Sequence, residues 1–101
     1  MATSITNQFV FGQKAITTAG TQLQLDATEY ALKSLLIIAY SSNTGRVFYG
    51  GSDVANTTQK GLLAGESIVI EVRENASFLL SSIWLDVSVN GEGADFIGVL
   101  A

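Results

Sequence analysis

The residues best placed for chemistry are Asp86, Asn90, Glu92 and Asp95, oxygen-bearing side chains gathered around one turn near the end of the chain. Two carboxylates flanking a sugar can hydrolyse a glycosidic bond. Oxygen ligands around a turn also suit calcium. The spacing matches no EF-hand loop, however, and Glu92 and Asp95 read more simply as solvated charges beside a hairpin. The rest of the inventory is narrow. The chain contains no His and no Cys, which removes Ser-His-Asp and Cys-His nucleophiles and leaves zinc with carboxylates alone. Gly50-Gly51 lacks the Gly-Lys and following helix of a phosphate-binding loop, so it reads as a turn. No catalytic residue, cofactor or metal is expected, and the chain is read as a non-enzyme.

Composition points the same way. With 101 residues there is room for one domain. Charged residues make up 14%, against about 25% in a typical globular domain. The exterior must therefore be built largely from Ser, Thr, Asn and Gln, as suits a protein covered by neighbours or an ordinary small β domain. The net charge is −4, and the basic residues Lys14, Lys33, Arg46, Lys60 and Arg73 are scattered. Nucleic acid needs a basic footprint, so it is not expected as a partner. The longest apolar run, Leu35 to Tyr40, is far short of the roughly 20 residues of a membrane helix. No basic region followed by an apolar run opens the chain, so no signal peptide is expected. Asn56-Thr57-Thr58 and Asn75-Ala76-Ser77 match the glycosylation pattern and are read as chance.

These side chains must be held by elements that glycine and asparagine punctuate. Asn43-Thr44-Gly45, Gly50-Gly51-Ser52-Asp53, Leu63-Ala64-Gly65-Glu66-Ser67 and Asn90-Gly91-Glu92-Gly93 separate short apolar segments, as in a small antiparallel β protein. Residues 1–12 read as an N-terminal arm or edge strand, within which Phe9-Val10-Phe11 packs back on the body or reaches a neighbour. The domain proper is placed at 13–101. Strands are expected at 14–18, 21–25, 33–40, 46–49, 67–73, 83–89 and 95–100. Asp26 and Glu29 have the spacing of a helix cap, but a loop or single turn at 26–32 is preferred. Glu74-Asn75-Ala76 reads as a turn, and Gly50 to Lys60 as an exposed loop. Alternation puts Leu23 and Leu25 on one face, and Ile68, Ile70 and Val72 on another. Ile83, Leu85, Val87 and Val89 share a face opposite Trp84, Asp86 and Ser88; Trp84 is read as buried. Asn90-Gly91 reads as a hairpin turn, since both residues tolerate positive φ. About seven or eight strands at this spacing predict an all-β fold, an antiparallel β-sandwich of jelly-roll type.

The order of motifs is itself informative. Ile16-Thr17-Thr18-Ala19-Gly20-Thr21 precedes an alternating strand. Lys33-Ser34-Leu35 opens a buried one. Asn43-Thr44-Gly45-Arg46-Val47-Phe48-Tyr49-Gly50-Gly51-Ser52-Asp53-Val54 and Leu62-Leu63-Ala64-Gly65-Glu66-Ser67-Ile68 follow. From about Gln13 onward this resembles small virion proteins of tailed bacteriophages and related domains inside longer phage structural proteins. The resemblance rests on turns and strand starts, so it bears on fold more than on role. It implies a β-sandwich or jelly-roll module that coats or reinforces a capsid, or sits on tail and fibre assemblies.

The expected function is therefore that of a structural virion protein, a capsid decoration or cement protein acting by multivalent adhesion. Its partners would be the major capsid protein or other virion proteins. The chain would be made in the host cytoplasm, placed on the capsid surface, and self-associated, as a trimer. Phe9, Val10 and Phe11 are the candidate interface residues. The alternatives are a tail or head-fibre component, or a carbohydrate-binding module using Tyr40, Phe48, Tyr49 and Trp84 as an aromatic platform.

Overall fold

The apolar run Leu35 to Ala39 needs neighbours on both edges and a core on one face, and the fold is arranged around it. The computed structural model describes residues 3–6 (backbone), 8–55, 61–73 and 75–101. Among them are the strands β1 (Thr3–Thr6), β2 (Phe9–Ala15), β3 (Leu23–Gln24), β4 (Ala31–Ala39), β5 (Val47–Gly50), β6 (Ser67–Glu71), β7 (Phe78–Leu79), β8 (Trp84–Val87) and β9 (Gly93–Leu100), with one turn of 3-10 helix at Leu80–Ser82. All pairings are antiparallel. A six-stranded sheet runs β1-β2-β9-β4-β6, with β7 also on β4, and a three-stranded sheet runs β3-β8-β5.

The two sheets share one buried cluster. Val10, Leu32, Leu35, Ile37, Ala94 and Phe96 enter it from the larger sheet, and Val47, Leu85 and Val87 from the smaller. The inward positions of β4 do not keep a strict period of two. Leu35, Ile37 and Ala39 are buried, but so is Leu32. The ladder with β9 shows why. Leu32 faces Leu100 and Ser34 faces Val99, so Lys33 is an extra residue on β4. A bulge of this kind inserts one residue and shifts the parity of the strand beyond it. Leu32 is thereby turned inward while Lys33 stays exposed.

On the other side of β4 the edge is broken at the same level. β6 pairs with Ser34 to Ile38, and β7 pairs with Ala31 and Leu32, in the same direction. They are one edge line interrupted by residues 72–77. Asn75 takes the left-handed conformation there (φ 69°), and the Ala76 amide donates to the Arg73 carbonyl at 3.0 Å. The expected strand at 67–73 thus ends earlier, and β7 and the 3-10 turn after it went unread.

Several sequence expectations need correcting. Residues 3–6 form the edge strand of the larger sheet, but β2 begins at Phe9 and runs across the boundary placed after residue 12. Val10 is fully buried. Asn90-Gly91 is a turn with Gly91 at φ 82°, yet it closes no hairpin. β8 belongs to the small sheet and β9 to the large one, so the chain crosses between layers there. Asn43-Thr44-Gly45 likewise crosses from β4 to β5. Among the described residues only β1 and β2 are consecutive strands joined as a hairpin. Asp26 begins a local turn, its Oδ1 accepting the Thr28 amide at 2.8 Å, and no helix follows. Asn56-Thr57-Thr58, Glu74 and the latter part of the 50–60 loop lie outside the described residues.

Leu85 and Val87 are fully buried, and Leu23 and Leu25 both join the core. Ile68 and Ile70 pack against it but are only half-buried, as an edge strand dictates, while Val69 faces out. Val89 is exposed because β8 ends at Val87. Ile37→Ala should therefore cost about 2–5 kcal/mol. Ile70→Ala should cost less, and Val69→Ala should stay within about 0.5 kcal/mol of the parent. Denaturant midpoints of the three variants, measured at high dilution so that contacts between chains do not contribute, test this order. A Val69→Ala loss as large as that of Ile37→Ala would put β6 one residue out of register.

Candidate functional site

The outward face of the larger sheet is built from alternate residues of four strands, and the registers fix which ones meet. Phe11 lies beside Ile97, Ile97 beside Leu36, and Leu36 beside Val69. One apolar stripe therefore crosses β2, β9, β4 and β6. The next row along the strands holds Phe9, Val99, Ser34 and Glu71, and the row on the other side holds Gln13, Asp95, Ile38 and Ser67. Phe9 is 48% exposed, Phe11 41%, Ile97 42% and Val69 52%. Exposed apolar residues scattered singly carry no message, whereas these lie side by side in one contiguous patch, which makes the face a candidate contact surface. Of the three residues singled out at the N-terminus, Phe9 and Phe11 belong to this surface, and Val10 belongs to the core. The cross-strand partners Ile97, Leu36 and Val69 could not be found from sequence, because the pairing that aligns them is non-local.

The oxygen-bearing residues near the last turn are not gathered into one site. Asp86 is fully buried on β8. Its Oδ1 accepts the amides of Gly20 (2.9 Å) and Val87 (2.8 Å), and its Oδ2 has no hydrogen-bond partner. Asn90 Oδ1 accepts the Ala19 amide at 2.8 Å. Both side chains pin the 17–20 loop. Glu92 instead binds the loop after β4. It accepts the Thr44 amide (2.6 Å), the Thr44 hydroxyl (2.9 Å) and the Gly45 amide (2.9 Å). Asn43 completes the same junction, donating to the Gly93 carbonyl at 2.9 Å. These are structural clamps between the sheets, and Glu92 is not a free charge beside a hairpin. Among the described residues no three Asp, Glu, His or Cys side chains come together as a metal site.

The aromatic platform is also absent in the form expected. Phe48 is buried, Tyr49 packs against the core, and Tyr40 and Trp84 are half-buried. Burial, and then the charge of Asp95, push the Tyr40 phenol above its ordinary range. A cleft of about 540 Å³ opens where the edge strand breaks, between Lys33, Glu71, Arg73, Asn75 and Ser77. No aromatic side chain among the described residues lines it.

Two substitutions test the clamps. Asp86→Ala should destabilise by about 1–3 kcal/mol for each buried amide it strands, read as a fall in the denaturant midpoint. A neutral result would mean the 17–20 loop holds itself. At Glu92 the carboxyl is held below its ordinary range, chiefly by the Thr44 amide, against burial, and further by the Gly45 amide and the Thr44 hydroxyl. A lowered folded pKa contributes stability that is complete above the unfolded value of about 4.3 and is lost as pH falls through the folded value. The gap in melting temperature between Glu92→Gln and the parent should therefore be widest near neutrality and narrow below about pH 4. A gap independent of pH would show that the charge is not what the loop binds.

Comparison with family models, with curated proteins and with solved structures finds no match to this chain.

Proposed function

We propose that this chain is a structural virion protein, a capsid decoration or cement protein that adheres to the capsid lattice as a self-associated unit. The observation that carries the reading is the stripe Phe11–Ile97–Leu36–Val69 with Phe9 and Val99 beside it. A domain that worked alone in water would gain little by presenting such a face. The low charge of the sequence fits the same role, since weak contacts repeated over a lattice add up through effective concentration and need no steering field. The resemblance of the turn motifs to small virion proteins of tailed phages supplies the setting. The two sheets around a common core fit a β-sandwich of jelly-roll type, with all but two of the connections between consecutive strands passing from one sheet to the other. Its partners are then the major capsid protein or other virion proteins, and its place is the capsid surface.

The carbohydrate-binding alternative has less support, because its four candidate aromatics are buried or half-buried. Deleting residues 1–12 cannot separate binding from folding, since the deletion removes Val10 from the core. Replacing Phe9 and Phe11 together by Ser keeps the strand and alters only the surface. Purified protein mixed with undecorated heads should co-sediment with them, and the double variant should bind at least tenfold more weakly. A chain that never sediments with heads but binds a glycan array would overturn the proposal.

A further inference from the structure

The apolar face raises the question of what covers it. We infer that the outer face of the six-stranded sheet is covered by the same face of a second copy of this chain, so that the adhesive unit is a face-to-face dimer. This rests on the reading of the chain as part of an assembly and names the partner of that surface.

Area is the first argument. With strands about 4.8 Å apart and residues about 3.4 Å along each strand, the four strands of the stripe and seven residues give a face of about 450 Å². Two such faces bury about 900 Å² in total, the size of a weak, reversible interface. Shape is the second. Aligned sheets pack about 10 Å apart when their twists agree, and a second copy supplies the same twist without further design. Charge is the third. The stripe carries no ionisable group along its length, and the acids Glu71 and Asp95 lie in the rows to either side. A two-fold axis parallel to the strands, between β9 and β4, lays the Phe11 end of one stripe on the Val69 end of the other. Under that axis neither acid meets its own copy or the other acid: Glu71 falls opposite a Phe9 position and Asp95 opposite an Ile38 position. An axis along the stripe also keeps the acids apart, with Glu71 opposite a Ser67 position and Asp95 opposite a Val99 position, so neither arrangement sets acid against acid in a chain of net charge −4. Self-pairing of a flat face also makes two copies, in place of the three expected from sequence, because an isologous contact closes once it is made.

Light scattering on purified protein tests the dimer directly. The parent should have twice the chain mass at tens of micromolar and dissociate on dilution. Ile97→Lys and Val69→Lys each place a charge in the stripe at an exposed position. Both should shift the mass to one chain and weaken self-association at least tenfold, while keeping a cooperative melt. Val89→Lys, at an exposed apolar residue off this face, should leave the dimer intact. A single-chain or three-chain parent overturns the inference, as does a dimer that survives both stripe variants. Head co-sedimentation is read separately. A dimer that ignores heads refutes the virion role alone, and a monomer that binds them refutes the dimer alone.

Discussion

The pairing of β4 with β9 is the constraint on which the rest depends. These two strands occupy the middle of the larger sheet, and every other strand of that sheet is reached through one of them. Their contact is made close by Gly98. A Cβ there would stand 2.9 Å from a Leu32 methyl and 3.0 Å from a Val10 methyl, so the missing side chain lets Leu32 and Val10 close over β9. Leu32 can take that place only because the bulge at Lys33 reverses the parity of β4. Without the extra residue, the alternation that buries Leu35, Ile37 and Ala39 would turn Lys33 inward and Leu32 out to water.

The outer edge of β4 is broken at the level of the bulge. β6 ends at Glu71, β7 begins at Phe78, and the cleft beside Lys33 and Arg73 opens between them. The sheets themselves are held together at one end by polar side chains acting on backbone. Glu92 and Asn43 tie the loop after β4 to the start of β9, and Asp86 and Asn90 hold the loop after β2. A layered fold whose connections cross between sheets has few hairpins to close its ends, and polar side chains bonded to backbone take over that task.

The period-two pattern made much of this legible. Alternation placed Leu23, Leu25, Leu85 and Val87 inward, and set Ile68 and Ile70 on the side opposite Val69, because one buried face per strand leaves its mark on sequence. The burial of Asp86 was hidden, since that depends on a loop sixty-six residues away in the chain folding over the outer face of β8. Asn90-Gly91 misled for a related reason. Its residues supply the positive φ of a tight turn, but whether the next strand pairs with the last or crosses to another sheet is decided by the core. The apolar outer face was half legible. Phe9 and Phe11 stood out as apolar residues in a polar stretch, whereas Ile97, Leu36 and Val69 look like ordinary strand residues until the register aligns them.

The two outer faces of the molecule are treated differently by its own chain. The smaller sheet is roofed by loops. Phe48, on the side of β5 away from the core, is 4% exposed, and Val54 is 5% exposed. Gln22 donates to the Ser52 carbonyl across the 50s loop, and the 17–20 loop closes over Asp86. No loop among the described residues crosses the larger sheet in this way, although its outer face is the more apolar. Burying Phe9, Phe11, Ile97 and Val69 beneath a loop would have added intramolecular stability at about 25 cal/mol per Å². A fold that covers its small face and leaves its large apolar face open leaves that free energy unused within the chain. Under the association proposed above, that face is as much a part of the design as the core.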